Sequence, residues 1–455
     1  MKHAHFVGIG GTGLSAIAAV LAEAGWTVSG CDAQPSDLAR ELEQRGLRVY
    51  HGHDPRHVED ADVVVISSAI PSDLPEVRAA LRRGIPVRKR AEFLEEILAG
   101  SSVVAVAGTH GKTTTTGLTA FILDRAGRDP SFIVGGVLAD YGTNARRGQS
   151  DLFVIEADEY DRMFHGLNPS LAVVTNVEHD HPDCFPTAEA MQEAFQQFVE
   201  RLEPGGKLLA CADDAGSLAL GRWAEGNGVR VEFYGLNGEA QWKAEEIQTN
   251  GTGGSDFLVV REGETLGLAR NRLPGLHNVS NSLAALVAAL WLDVNFNTAR
   301  NALAEFHGVA RRFEIKGEAG GVTVIDDYAH HPTEIRATLA AARRRFPGRA
   351  IWAVFQPHTF SRTRAMLDEF AASFRDADHV VITDIFRSRE RDDKSLNAGE
   401  IVKRMAHADA RHIPRLDDAA DYLAGRLKSG DVLITLSAGD GNGVGADVLR
   451  RFNGS

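Results

Sequence analysis

"VVAVAGTHGKTTTTGL", residues 103–118, carries an apolar run into a Gly-Thr-His-Gly-Lys turn and then four threonines. The apolar run reads as a buried strand, and the turn and threonines as the start of a helix. Such a turn suits phosphate, because unpaired backbone N–H groups and the helix dipole both favour anions. Backbone amides of residues 109–113 would wrap a triphosphate tail, Lys112 would neutralise its outer phosphates, and Thr113 would offer a hydroxyl to magnesium. The common spacing G-x-x-x-x-G-K-[ST] puts its first glycine at position 106, where this chain has Val106, and Gly108 follows two residues later. Taken alone, the compact loop can also be read as an ordinary helix start. The surrounding chain has to decide.

Outward from the loop, short β-branched runs alternate with helical patterns, the mark of parallel α/β architecture. Before it, strands are expected near 4–9, 27–31, 47–50, 62–66 and 85–87, with Gly100-Ser101-Ser102 as a linker. After it come strands with polar tips, "LFVIEADE" (152–159), "LAVVTNVEHDH" (171–181) and "KLLACADD" (207–214). Residues 241–270, broken by "NGTGGS" and "REGE", read as a small antiparallel insertion, followed by a helix over about 278–292. From "ARRFEIKGE" the alternation resumes with "VTVIDDYAHHP", "AIWAVFQPHTF", "HVVITDIF" and "VLITLSAGDG". The expected organisation is three α/β domains, residues 1–100, 101–310 and 311–455. The first and third are Rossmann-like, and the central one is a P-loop ATPase-like parallel sheet carrying the insertion.

A chain of 455 residues with 44% apolar and 24% charged residues is an ordinary globular composition. Its net charge of -13 argues against nucleic acid and anionic membranes as partners, since both need clustered cations. Three widely spaced cysteines and an N-terminus without a signal-peptide pattern lead us to expect a reducing cytoplasm. The richest apolar stretch, "SLAALVAALWL" (282–292), is too short to span a membrane and reads as a buried helix.

In open α/β sheets ligands collect at the carboxyl ends of strands. The first such tip, "GIGGTG" (8–13), with Asp32 at the end of the next strand, has the pattern of a dinucleotide fingerprint. The physics serves any diphosphate. "EADEYD" supplies Glu156, Asp158, Glu159 and Asp161, and "TNVEHDHPD" supplies Glu178, His179, Asp180, His181 and Asp183; the hard carboxylate oxygens among them suit magnesium beside a phosphate loop. Asn278 and Asn281 lie three apart at a helix start, placed to read an adenine edge or, for Asn278, to cap the helix. The last unit adds Arg311, Arg312, Asp326, Asp327, His330, His331, His358 and Arg362. Arginines at converging tips clamp carboxylate or phosphate, whereas His330 and His331 can equally cap the helix that Pro332 begins.

Taken together, "GTHGKTTT", "EADEYD", "TNVEHDHPD", "HNVSN", "RRFE" and "DDYAHHPTEI" resemble, in order and spacing, the Mur ligases, over essentially the whole chain. "GIGGTG", "SSAIP" (67–71) and "FQPHTFSRT" are similar to the branch that adds the first amino acid. The resemblance implies a cytoplasmic enzyme of peptidoglycan synthesis that uses ATP and magnesium to join L-alanine to the lactyl carboxylate of UDP-N-acetylmuramate. It implies an acyl phosphate, then a tetrahedral intermediate. Lys112, Glu159, His181, His330 and Arg362 would be catalytic, and Thr113, Glu159 and His181 would hold metal. Gly108, Thr109, His110, Gly111, Lys112, Thr113, Thr114, Asn278, Asn281, Arg312 and Asp327 would bind ATP. Gly10, Gly11, Thr12, Gly13, Asp32, Ser67, Ser68, Ala69 and Ile70 would bind the UDP-sugar in the N-terminal domain.

Ligases of the family for later amino acids carry a carbamylated lysine about fifteen residues after the histidine. Here Gln196 occupies that spacing and no lysine lies between Lys112 and Lys207. That leaves the L-alanine-adding ligase or a relative that attaches a preformed tripeptide to the same sugar nucleotide. A nicotinamide-dependent oxidoreductase, resting on "GIGGTG" and Asp32, is the rival from another class, and it leaves the Lys112 loop unexplained. Substrates are the expected partners, with no nucleic acid or membrane insertion, for a monomer or homodimer.

Overall fold

The computed structural model describes all residues except 1, 34, 35, 68, 69, 72, 238, 389, 392–395 and 455. Three sheets follow one another along the chain. The first is wholly parallel, in the order Arg48–His51, Thr27–Asp32, His3–Val7, Val63–Ile66, Val87–Lys89. Chain order reverses between His3–Val7 and Val63–Ile66, so the glycine-rich loop and the segment from Ser67 flank the crevice where such sheets bind ligands.

The central sheet has ten strands. Its parallel part runs Arg230–Gly235, Lys207–Cys211, Leu171–Val174, Ser102–Ala107, Leu152–Glu156, Ser131–Leu138. Ser102, expected in the linker, is the first residue of its strand. This order is decisive for the site, because the strand feeding the phosphate loop lies directly between the two strands with acidic tips. Alternation then sorts its side chains: Val103, Ala105 and Ala107 face a core shared with Phe6, Ile17 and Phe93 of the N-terminal unit. Val104 and Val106 face the helices Lys112–Arg125 and Leu276–Trp291. Full burial of a side chain such as Phe121 in that core contributes about 2–3 kcal/mol.

Residues 241–270 are antiparallel, as expected, but they do not stand apart. Trp242–Thr249 joins the central sheet parallel to Arg230–Gly235, and Ser255–Arg261 and Glu264–Arg270 extend that edge as two hairpins. The opposite edge ends in a hairpin of Ser131–Leu138 with Thr143–Arg146 that pattern reading did not reveal. The third sheet is ordered Glu314–Ala319, Val322–Asp327, Val432–Ser437, Ile351–Gln356, His379–Ile382, Ala410–His412, parallel except for its first pair. Among the described residues no helix is long and apolar enough to cross a membrane.

Gly108 turns the chain out of its strand at φ +137°, and a Cβ there would lie 2.0 Å from Thr175 Oγ1. Gly127 also has positive φ, at +74°, but has nothing within 4 Å of such a Cβ. Gly108→Ala should therefore cost about 2–4 kcal/mol and lower the thermal midpoint by ~5 °C or more, whereas Gly127→Ala should cost only about 1 kcal/mol. Equal losses in a side-by-side thermal melt would mean that contact with Thr175 does not shape the loop.

Candidate active site

The phosphate loop is stitched to the tip of the neighbouring strand. Asn176 closes on His110 from both sides, its Oδ1 accepting from His110 N at 2.8 Å and its amide donating to His110 O at 3.1 Å. Thr109 N donates to Asn176 O at 3.2 Å, and Thr109 Oγ1 both donates to Glu178 O and accepts from Glu178 N at 2.9 Å. Gly111 then begins the helix at φ +78°, close against Asn281: a Cβ there would lie 2.6 Å from Asn281 Oδ1. Thr114 lies buried in the first turn.

Lys112 folds back over the loop, donating to the carbonyls of Gly108 and Thr109, and its Nζ lies 2.8 Å from Glu159 Oε2. Burial opposes its charge, yet Glu159, Asp158 and Glu156 together hold its pKa above that of an ordinary lysine. Thr113 Oγ1 donates to Glu156 Oε1 at 3.1 Å. His181 Nε2 is 3.6 Å from Glu159 Oε1, on a backbone held at φ +53°, the kind of strain that gathers at functional sites. Behind it, Arg362 donates through Nε and Nη2 to both oxygens of Asp180 at 2.8 and 3.0 Å and lies 3.4 Å from His181 Nδ1. Arg362 Nη1 reaches His358 Nδ1 at 3.1 Å, and the His358 ring is 5.8 Å from that of His330. Lys112, Glu159, His181, Arg362, His358 and His330 thus form one contiguous chain across the seam between the central and C-terminal units.

The same seam encloses a cavity of about 270 Å³. His110, Gly111, Thr113, Thr114, Asn278, Asn281, Arg312 and Asp327 all line it. Arg312 Nη2 lies 3.4 Å from Thr113 Oγ1, which brings the C-terminal unit to the phosphate loop. Asn278 does not cap its helix: its amide donates to Pro274 O at 2.8 Å and its Oδ1 accepts from Asn281 at 3.2 Å. Asp327 accepts from Phe313 N and Ala329 N at 2.7 and 2.8 Å, and burial pushes its carboxyl up to about 6. Of the two histidines before Pro332, His331 is the cap, accepting from Thr333 N.

Sequence reading missed Glu334, which ties the seam together. It accepts from His330 N at 3.0 Å and lies 3.3 Å from His110 Nδ1 and 3.7 Å from Arg312 Nη1. Its place three residues beyond His331, in a capping box, was the available signal. Thr333 Oγ1 donates across the seam to Glu178 Oε2 at 2.8 Å.

In the N-terminal unit, Gly10 N donates to Asp32 Oδ2 at 3.0 Å, so this carboxylate braces the glycine-rich loop. Gly11 caps the helix that Thr12 begins, and Ser67 and Ile70 lie across from Gly8. Ser68 and Ala69 lie outside the described residues. A Cβ on Gly13 would meet Arg90 Nη1 at 2.1 Å, and Arg90 Nη2 bonds Asp158 at 2.9 Å. Arg90 therefore links the glycine-rich loop to the residue before Glu159, a role that nothing in its local sequence announces.

His110 has a clean pH signature. Although burial works against its charge, Glu178 and Glu334 on either side raise its pKa to about 9. The raised folded value means stabilisation fully present below the ordinary imidazole pKa and lost as pH rises through about 9. Burial lowers His277, His331 and His358 to about 4 and His330 to about 3, so they are neutral in folded and unfolded chains above pH ~6.5. Stability measured by urea unfolding should fall between pH ~6.5 and about 9. His110→Gln should flatten that window, and an unchanged slope in the variant would remove His110 from the seam's energetics.

Three family models match the chain in succession: Mur ligase family, catalytic domain, over residues 3–102; Mur ligase middle domain over 106–289; and Mur ligase, glutamate ligase domain, over 311–439. The chain is 44% identical to the UDP-N-acetylmuramate–L-alanine ligase of Frankia casuarinae, covering 98% of this chain and 97% of that one. It is also 44% identical to that of Salinibacter ruber, over 97% and 93% of the two chains. Among solved structures, the UDP-N-acetylmuramate-alanine ligase of Thermotoga maritima superposes with a TM-score of 0.84 at 26% identity over 100% of both chains. A murein peptide ligase from Psychrobacter arcticus gives 0.72 at 29% identity, over 100% of this chain and 99% of that one. With all three units matched in order and close relatives aligned nearly end to end, the chain belongs to the Mur ligase family.

Proposed function

We propose that this chain is a cytoplasmic ligase that joins L-alanine to the lactyl carboxylate of UDP-N-acetylmuramate at the expense of ATP, through an acyl phosphate and a tetrahedral intermediate. Residues 1–100, 101–310 and 311–455 would be its sugar-nucleotide, ATP and amino-acid domains. The observation that carries the reading is the unbroken run from Lys112 through Glu159 and His181 to Arg362, set beside a cavity that takes residues from both flanking units. The names of the aligned relatives support the choice of L-alanine.

A carboxylate attacking a γ-phosphate meets an anion of its own sign, so the site must supply cations and hold the reactants in line. Lys112 would leave the loop carbonyls and Glu159 for the outer phosphates when ATP binds. Arg312, already at Thr113, would screen the same group from the other side of the seam. Asn278 and Asn281 would face the adenine, and Asp327 would bind ATP from the C-terminal unit. The Glu159 carboxylate is what would fit magnesium: buried, with Oε2 2.8 Å from Lys112 Nζ and Oε1 3.6 Å from His181 Nε2, it would exchange the lysine for the ion, and the Thr113 hydroxyl, now bonded to Glu156, would turn to it. Bound there, the ion would add positive charge beside the transferred phosphoryl group.

The amine must be neutral to attack. His330 donates Nδ1–H to Tyr328 O at 2.9 Å, which leaves its Nε2 lone pair to accept a hydrogen bond from the amine, and burial keeps the ring uncharged so that it adds no positive charge there. Arg362, clamped by Asp180, would position His181 and His358 around the incoming amino acid. On the other side of the site, Gly10 to Gly13, Asp32 and the segment from Ser67 to Ile70 would hold the uridine diphosphate, with Arg90 carrying their position to Asp158.

Purified protein should release ADP and phosphate only with ATP, magnesium, UDP-N-acetylmuramate and L-alanine all present. Release without the sugar nucleotide would sink the reading, and preference for a tripeptide over L-alanine would move the chain to the peptide-attaching relatives. Lys112→Ala should reduce turnover at least ~10³-fold, in line with the loss of a transition-state cation. Near-normal turnover in that variant would take the loop out of the chemistry.

A further inference from the structure

Behind the glycine-rich loop, in the core of the N-terminal unit, five donor side chains converge that the ligase reaction does not use. His5 and Cys31 come from adjacent strands, His53 and His57 from the segment after Arg48–His51, and Glu76 from the first turn of the helix Pro75–Arg83. One ligand atom from each of His5, Cys31 and His57 lie within 4.8 Å of one another, and the same holds for Cys31, His53 and Glu76. His5, Cys31 and Glu76 have no exposed surface.

Proton accounting leaves lone pairs there with nothing to bind. His3 Nδ1 lies 2.8 Å from Asp60 O, which can only accept, so in neutral His3 the Nε2 atom must accept. Its partner at 2.8 Å is the Ser29 hydroxyl, whose one hydrogen is thereby used. Ser29 Oγ must then accept from His5 Nδ1, also at 2.8 Å. His5 Nε2 is left as a bare lone pair, buried and without a hydrogen-bond partner. His57 Nδ1 donates to Glu76 Oε1 at 3.0 Å, which places its lone pair on Nε2 as well. Glu76 Oε1 also accepts from Asp54 N at 2.8 Å and from the Cys31 thiol at 3.4 Å, while Oε2 makes no hydrogen bond and has His53 Nδ1 3.2 Å away. A carboxylate gripping one imidazole nitrogen is how proteins orient the other toward a metal.

We propose that this cluster binds one divalent transition metal, with Zn2+ the best match, through Cys31 Sγ, His5 Nε2 and His57, and with His53 or Glu76 completing the shell. Sulfur and imidazole donors select such an ion over magnesium. Binding displaces the Cys31 thiol proton to solvent as the metal–sulfur bond forms. Metal–ligand bonds of ~2.3 Å to sulfur and ~2.0 Å to nitrogen put tetrahedral donors about 3.5 Å apart, so donors that lie within 4.8 Å of one another have to draw together by no more than about 1.3 Å. The site is wired to the glycine-rich loop: Cys31 O accepts from Gly8 N at 2.8 Å and Ile9 N at 3.2 Å, and neighbouring Asp32 accepts from Gly10 N.

The test is a titration of chelator-stripped full-length protein with Co2+. A thiolate-to-cobalt charge-transfer band should grow to about one equivalent and vanish on adding Zn2+. It should survive in a Cys184→Ser/Cys211→Ser variant and be lost in Cys31→Ser, with folding checked by circular dichroism. X-ray absorption of the wild-type zinc form, which needs no variant, should show one sulfur at ~2.3 Å. Absence of the band in folded wild-type protein, its persistence in folded Cys31→Ser, or a zinc shell without sulfur would each overturn the site.

Discussion

Lys112 is a cation among Glu156, Asp158 and Glu159, and the architecture around the loop follows from keeping it charged. A buried ammonium without partners would cost several kcal/mol, and so would the carboxylates. Together they are tolerable, and each can exchange its partner for a stronger one. The sheet order supplies this arrangement: Ser102–Ala107 lies beside Leu152–Glu156, whose tip brings Glu156, Asp158 and Glu159 to the lysine, while the tip of Leu171–Val174 on the other side brings Glu178 to His110. The N-terminal unit then adds Arg90 to Asp158, which keeps that carboxylate well-matched while Glu159 faces the lysine.

The seam with the C-terminal unit obeys the same logic. These contacts across it are charged or polar: Arg362 with Asp180, which is buried, and Glu334 with His110 and Thr333 with Glu178, which are half-buried. An apolar seam would hold without regard to what lies in the cavity. A seam of ion pairs is sensitive to every charge placed beside it, and a triphosphate is a large one. The left-handed backbone at Arg311, Phe313, His181 and Thr359 lies along this seam, so the turns that aim the functional side chains carry local strain held by their surroundings.

Much of this was legible in the sequence because strand tips in parallel sheets are contiguous in the chain. "EADEYD", "TNVEHDHPD" and "DDYAHHP" each deliver several site residues at once, and hydrophobic alternation placed their strands within a residue or two. What escaped was set by distance. Arg90 sits at a helix start of the first unit, 68 residues before Asp158, and Glu334 reads locally as the second half of a capping box. The edge hairpin Thr143–Arg146 is short and polar, with no alternation to betray it. Asp32 matched the fingerprint's acid, and the pattern did not reveal that one of its oxygens braces Gly10 N. A pattern identifies the residue type at a position, whereas the partner it takes depends on which strands become neighbours.

The missing glycine at position 106 now has a physical reason. Val106 is fully buried, within the strand and paired with Val173 and Glu156 on its two sides, so the strand runs further before the chain turns. The turn that a longer loop would make within itself is made here against Thr175 and Asn176 of the next strand tip. A loop with fewer residues has fewer backbone N–H groups of its own to offer, and His110 N is already committed to Asn176. Side chains from outside the loop stand where they could make up that deficit, Arg312 above all, which comes to Thr113 from the loop before the third sheet. On the proposed reading, the short spacing would make the phosphate site dependent on the C-terminal unit and would tie nucleotide binding to the seam between the two units.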